Sequence, residues 1–367
     1  MRVLHILNEL RPSGAETMLR AASGLWHSRG IQGEILVTGE SFGEYAPCLE
    51  RAGYRLHHLP FERSPLYLWR VFRFLGRNRF ETVHIHCERA NFWYAALAFV
   101  SGRPRVVRSV HGIFAFRGWL RCKRFVQRYV LRRALRTTTV AVSPTVQRVE
   151  WMSYQNPSLR IPNWFDSDRY HPASREERAV ARRGFGIPDN AIAVATVGNC
   201  SPVKNHLAVV SALGSLPRPW RVVYLHAGCE DSSREEARLA ERMGVEARFL
   251  GAVEDVRGVF AAADLFVMPS LHEGAGIAAL EALGAGVPAL LADVEGLRDL
   301  RDVADCEWTA PDPDAIAAAL RRCFERNPEA LRERALQASR RIHENFSVVR
   351  GASEYADLYR SGTRARP

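Results

Sequence analysis

Short apolar runs alternate along the chain with longer stretches of helical period, which is the pattern of parallel βαβ units. In the first half the predicted strands are 3–7, 35–38, 82–86, 106–110 and 138–142. Pro157, Pro162 and Pro172 then interrupt residues 155–175, where no periodicity survives; a linker between domains is expected there. The alternation restarts at 191–197 and continues at 222–225, 248–250, 265–268 and 288–291. The expected fold class is α/β, with two doubly wound, Rossmann-like domains in tandem. Their bounds are expected at 1–167 and 168–345. Sheets of this kind bind ligands beyond the carboxyl ends of their strands. Two such sheets facing each other would line a deep cleft.

Composition narrows the class. At roughly 100–200 residues per domain, 367 residues agree with two domains. A chain that is 47% hydrophobic and 25% charged is neither disordered nor a disulfide mini-scaffold. No apolar run approaches the roughly 20 residues that span a bilayer. The chain enters the strand-like segment Val3–Leu7 at once, so no signal peptide is expected. Seven cysteines, widely scattered and without a CxxC pair, point to free thiols in a reducing cytoplasm. Only 361–367 read as a tail.

Charge is unevenly placed. Residues 1–167 hold 25 Lys and Arg against 11 Asp and Glu, whereas 168–367 hold 26 against 29. The first half is thus suited to something anionic: a membrane surface, an acidic substrate or a nucleic acid. Residues 117–136 predict a helix, and at about 100° per residue Arg117, Arg121, Arg124, Arg128 and Arg132 share one stripe. Trp119, Val126 and Val130 fall opposite. Such a basic amphipathic helix is expected to lie on anionic lipid or meet the acceptor. An ordinary solvated helix, its Trp/Val face on the sheet, stays open. Nucleic acid is not expected: the basic residues lack the aromatic interleaving of single-strand binders. Among 51 basic residues only Lys123 and Lys204 are lysines, so a retained lysine suggests a role arginine does not fill.

The sharpest chemistry lies in 269–288. A Gly-rich loop follows an apolar strand and enters a helix, with Glu273 at its mouth and Glu281 inside it. The start of a helix leaves amide N–H groups free for an anion, and Gly274 and Gly276 permit close approach. Glu281, flanked by Ala279, Leu280, Ala282 and Leu283, is a carboxylate in an apolar helix and needs a reason to be there. Two carboxylates so placed could grip the hydroxyls of a hexose and a ribose. No Walker A and no GxGxxG fingerprint is present. Asp166-Ser167-Asp168 falls in the Pro-rich stretch, and His84 and His86 have no further ligand spacing beside them; no metal is expected.

The segment Ser270-x-x-Glu273-Gly-x-Gly-x-x-x-x-Glu281-Ala-x-x-x-Gly286-x-Pro288 resembles the signature of the retaining GT-B glycosyltransferases of family 4. Ser13-Gly14-Ala15-Glu16, His86, Val110-His111-Gly112, Ala141-Val142-Ser143, Pro162–Asp166, Gly198–Asn205 and Phe249-Leu250-Gly251 follow the family's order over nearly the whole chain. The resemblance implies a nucleotide-diphosphate sugar (UDP- or GDP-linked) as co-substrate and no cofactor. A glycan or lipid-linked acceptor would sit on the first domain, to which the helix after Phe346, with Tyr355 and Tyr359, crosses back. Lys204 would hold the diphosphate and His111 face the hexose. Glu273 would contact the sugar, and Glu281 the ribose. Gly14, Gly274 and backbone amides of Ala275, Gly276 and Ile277 would line the donor. Asn199 stands where the family often has Arg. Such enzymes in polysaccharide, glycolipid or lipopolysaccharide synthesis are often held at the inner face of the cytoplasmic membrane. The rival readings are a nucleotide-sugar epimerase of the same architecture and a non-catalytic anionic-lipid binder.

Overall fold

The computed structural model describes residues 1–361 apart from 103, 104, 218 and 231. The expected tail therefore lies, from 362 on, outside the described residues. The chain divides into two compact units, Met1–Trp164 together with the segment from Val348 onward, and Phe165–Ser347.

The first unit runs β1 (Arg2–Leu7), α1 (Gly14–Ser28), β2 (Gln32–Val37), α2 (Ala46–Arg51), β3 (Arg55–His58), α3 (Pro65–Asn78), β4 (Thr82–Ile85), α4 (Asn91–Val100), β5 (Arg105–Val110), α5 (Gly118–Arg133), β6 (Thr138–Ala141), α6 (Pro144–Tyr154) and β7 (Leu159–Arg160). Helices begin where capping chemistry allows: Ser64 Oγ accepts from Tyr67 N at 3.1 Å, and Ser143 Oγ from Val146 N at 3.3 Å, each just before a proline. All strands are parallel, in the order β3-β2-β1-β4-β5-β6-β7. Side chains alternate between its faces. Leu4, Ile6, Val83 and Ile85 pack with Tyr67, Val71, Leu75 and Tyr94 of α3 and α4, whereas His5 stacks on Trp26 of α1.

The second unit comprises α7 (Arg175–Gly184), β8 (Ile192–Val197), α8 (His206–Gly214), β9 (Val222–Ala227), α9 (Glu235–Met243), β10 (Glu246–Phe249), α10 (Arg257–Ala262), β11 (Leu265–Met268), α11 (Ile277–Gly284), β12 (Ala289–Ala292), β13 (Glu307–Thr309), α12 (Pro313–Phe324) and α13 (Pro328–Phe346). Its strands, again parallel, run β10-β9-β8-β11-β12-β13. A last helix, α14 (Val348–Ser361), belongs to the first unit. Trp26 Nε1 donates to Ala352 O at 2.9 Å. Gly351 lies flat on the Trp164 ring, where a Cβ would come within 2.2 Å of a ring carbon.

Three strands, β3, β7 and β13, are absent from the periodicity reading. Each is a short, part-exposed run at or beside a sheet edge, so burial leaves little apolar imprint. The stretch 155–175 is also tighter than a linker. Trp164 and Phe165 are both 2% exposed. Trp164 donates to Met18 O at 3.1 Å in the first unit, and Phe165 packs on Gly284 and His343 in the second. The boundaries accordingly fall at 164/165 and 347/348 rather than at 167 and 346.

Candidate functional site

In the second unit the strand order reverses between β8 and its neighbour β11, the position at which a doubly wound sheet opens a crevice. The loops that leave these strands, 198–205 and 269–276, are tied together. Leu271 N donates to Val203 O at 2.8 Å, and Asn205 Nδ2 donates to Pro269 O and Pro311 O at 3.1 and 2.8 Å. Across the seam, Lys204 Nζ meets Glu273 Oε1 at 2.7 Å, and Ser270 Oγ donates to the same oxygen at 2.7 Å. The two residues expected to hold diphosphate and sugar thus form one charge-assisted pair, with Lys204's side chain 29% and Glu273's 13% exposed.

The mouth of α11 is formed by Gly274, Ala275, Gly276 and Ile277. Gly276 has φ +59°, and a Cβ there would come within 2.6 Å of Leu297 Cδ2; glycine fits without strain. Glu281, one turn inside, is 7% exposed among fully buried apolar neighbours. Asn199 Oδ1 accepts from Cys229 N at 2.9 Å, which braces the loop after β9 and turns the side chain's amide nitrogen to the role of donor.

In the first unit the reversal falls between β1 and β4. Gly14 opens α1, with Ser13 at the N-cap position but making no side-chain cap, and burial pushes the Glu16 carboxyl up to about 7 even though Ser13 Oγ donates to it. His111 follows β5. His111 Nε2 lies 2.9 Å from His86 Nδ1, and His86 Nε2 lies 3.0 Å from His5 Nδ1. Desolvation holds His5 down at about 3 and His111 at about 4, and keeps His84 and His86 well below the ordinary imidazole range. His84 is hydrogen-bonded at both nitrogens, to Tyr359 Oη at 2.6 Å and Ser109 Oγ at 2.7 Å. Sequence reasoning missed His5, although strict alternation along β1 and β4 puts it on the face of His84 and His86.

That third histidine corrects the expectation that nothing stands beside His84 and His86: nitrogens of His5, His84 and His86 lie within 4.8 Å of one another. A second trio, Cys200, His206 and His226, is equally close, with Cys200 Sγ 3.4 Å from His226 Nε2. These are the groups among the described residues that could hold a metal ion. The seven cysteines form no disulfide.

The arginine stripe is present but is open to solvent only in part. Arg128 is 2% exposed. It donates to both Glu150 carboxylate oxygens, at 2.7 to 3.0 Å, and lies 4.0 Å over the Tyr154 ring. Arg121 donates to Ser153 O and Arg132 to Gln155 O, and Arg124 stacks on Phe116. Arg117, at the N-cap, is exposed. Arg128 is buried and Arg121 and Arg132, though not buried, lean on α6, where the stripe finds a buried carboxylate and helix-end carbonyls. The exposed face of α5 carries Trp119, 82% exposed, with Leu120, Phe125, Val126 and Tyr129.

Comparison with known proteins agrees with this geometry. Residues 13–164 match the family model of the glycosyl transferase 4-like domain, and 191–326 that of glycosyl transferases group 1. The chain is 25% identical over 303 residues to the Escherichia coli UDP-Gal:alpha-D-GlcNAc-diphosphoundecaprenol alpha-1,3-galactosyltransferase, covering 79% of this chain and 77% of that one. It is 30% identical over 173 residues, 46% of each chain, to the lipopolysaccharide glucosyltransferase WaaG of Escherichia coli K12. The solved structure of Anabaena Alr3699/HepE with UDP and glucose superposes at TM-score 0.83 and 20% identity, over 98% of this chain and 100% of that one. Two family matches that follow one another along the chain, and relatives and structural neighbours of the same kind, make this protein a glycosyltransferase of the GT-B fold.

Proposed function

We infer that the chain moves a hexose-type sugar from a nucleotide-diphosphate sugar to a glycan or lipid-linked acceptor, with retention of anomeric configuration. The observation that carries this reading is the Lys204–Glu273 pair at the strand-order reversal of the second sheet. The Escherichia coli relative is named for a UDP-Gal donor and a diphosphoundecaprenol-linked acceptor, and the Anabaena structure holds UDP; both support UDP ahead of GDP.

In this reading the donor diphosphate settles at the mouth of α11, against the amides of Ala275, Gly276 and Ile277 and the Lys204 ammonium. As the glycosidic bond breaks, negative charge grows on the leaving diphosphate, and Lys204 stabilises it. The lysine, rather than a metal ion, is the counter-charge. Glu273, no longer the sole partner of Lys204, accepts hydrogen bonds from sugar hydroxyls, and Glu281 takes the ribose. His111 contacting the transferred hexose belongs to the same proposal. The acceptor side falls to the basic first unit, and the exposed aromatic face of α5, with Lys123 on it, supports peripheral contact with an anionic membrane. Among the described residues no helix is long and apolar enough to cross one.

The test is a transfer assay with UDP- and GDP-sugars, a polyprenyl-diphosphate-sugar acceptor and EDTA, reading product anomer by NMR. An acceptor-dependent product of retained configuration, undiminished by EDTA, is expected. Conversion of the donor to another nucleotide sugar without acceptor would overturn the reading.

A further inference from the structure

Three histidines of the first sheet form a continuous chain: His5 on β1, His86 after β4 and His111 after β5. The links are 3.0 Å from His5 Nδ1 to His86 Nε2 and 2.9 Å from His86 Nδ1 to His111 Nε2. Both outer nitrogens, His5 Nε2 and His111 Nδ1, are buried and have no hydrogen-bond partner. Each link needs one N–H facing one bare nitrogen, and among the described residues no carboxylate bonds to any of the three rings to hold a second proton, so each ring carries one N–H. Two arrangements are then possible. Either every proton points toward His111, leaving a bare nitrogen at the His5 end, or every proton points toward His5, leaving an N–H there.

The His5 end decides between them. Its ring is enclosed by Trp26, Tyr54, Tyr359 and His84, none of which accepts from it. His5 is 0% exposed whereas His111 is only part-buried, so an N–H at the His5 end would stay orphaned while one at the His111 end can meet a ligand. His84 cannot relieve it, because both its nitrogens are engaged by Tyr359 and Ser109. The protons therefore run outward: His5 donates to His86, His86 donates to His111, and His111 is left with a hydrogen on Nδ1.

We propose that His5 and His86 are positioning residues that fix His111 as its Nδ1–H tautomer, making it a neutral hydrogen-bond donor to an oxygen of the bound sugar. The sugar as ligand rests on the glycosyl-transfer reading above; the tautomer does not. In a free histidine side chain the Nε2–H form is the commoner one, so the chain imposes the form that a lone histidine would disfavour. His111 resembles a catalytic residue of the family, but nothing in that resemblance assigns work to His5 or His86.

The experiment has two arms. Nitrogen-15 imidazole spectra of the full chain, with the His111 signals assigned by their loss in His111→Phe, report the tautomer directly. Wild type is expected to show a protonated Nδ1 and a bare Nε2; His86→Phe is expected to shift His111 toward Nε2–H, while His86→Gln, whose amide can still donate, keeps the wild-type form. A protonated Nε2 in wild type overturns the proposal. In the second arm, His86→Phe is expected to lower kcat for transfer by about 10- to 100-fold, the range for partners that orient an imidazole. KM for the donor changes little, and His86→Gln recovers much of the loss. Equal kcat in wild type and His86→Phe overturns it too. If the tautomer is as stated but wild type transfers no sugar, the functional reading fails and the positioning claim stands.

Discussion

At the scale of the residue, the informative contact is the one between Lys204 and Glu273. The pair joins two loops outside the regular strands and helices, so its two members can be exchanged without threatening the fold. Lys204→Ala and Glu273→Ala are each expected to lower transfer by about two to three orders of magnitude, the range for losing one preorganised electrostatic contact. Circular dichroism and the melting midpoint stay near wild type. Turnover within a few-fold of wild type in either variant would remove the pair from the mechanism. The pair also predicts a split between binding and chemistry. Glu273→Gln frees Lys204 of its carboxylate, so nucleoside diphosphate affinity, measured by calorimetry, does not fall even though transfer does. Glu16 gives a separate, pH-dependent signature. Its carboxyl is raised from the ordinary 4.5 to about 7, so the folded chain holds a proton that the unfolded chain has released. That contribution is complete below about pH 4.5 and is lost as pH rises through about 7. Denaturation midpoints should therefore fall across that window, and Glu16→Gln should flatten the slope; an unchanged slope would show Glu16 to be ionised in the fold.

At the scale of the element, α5 shows where sequence patterning stops being sufficient. Its arginines do lie on one stripe, but periodicity cannot say which face of a helix turns inward when both an aromatic and a basic face are available. The deciding partner of Arg128 is Glu150, 22 positions away, and a second contact, with Glu88, is 40 positions away. Burial raises the Glu150 carboxyl, but Arg108 and Arg128 more than offset this and hold it below the ordinary range. Breaking so buried an arrangement leaves an uncompensated charge and costs about 3–5 kcal/mol. Arg128→Leu is expected to lower the unfolding free energy measured by urea denaturation by that much; a loss below about 1 kcal/mol would mean that the cluster is solvated. Vesicle binding should instead follow the opposite face: the double variant Trp119→Ser, Val126→Ser is expected to release the protein from anionic liposomes in a flotation assay, and undiminished flotation would reject the membrane role. By contrast, the β8 and β11 loops were legible from local sequence and from the resemblance it carries. A carboxylate inside an apolar helix, glycines where the backbone turns at positive φ, and a lysine in an arginine-dominated chain are local signals that need no distant partner.

At the scale of the molecule, two sheets with the same doubly wound logic place their reversals at β1/β4 and β8/β11, and the residues singled out by chemistry cluster at those two points. The alternation of strands and helices made this architecture readable. The boundary between units was less so, because it falls within one peptide flanked by two buried aromatics, Trp164 and Phe165, and a break in periodicity does not distinguish a loose tether from an anchored one. The histidine chain of the first unit was invisible for a related reason: its members come from three strands far apart in sequence, and only the parallel register brings them together. The central claim is that a nucleoside diphosphate binds where the β8 and β11 loops meet at Lys204. Thermal unfolding of wild type and Lys204→Ala against a panel of UDP, GDP, ADP and their sugars tests it most directly. A ligand at about 100 times its Kd stabilises the fold by about 2.7 kcal/mol. One base is therefore expected to raise the wild-type midpoint by several degrees, and the variant to lose most of that rise. No shift with any nucleotide, or the same shift in both proteins, would contradict it.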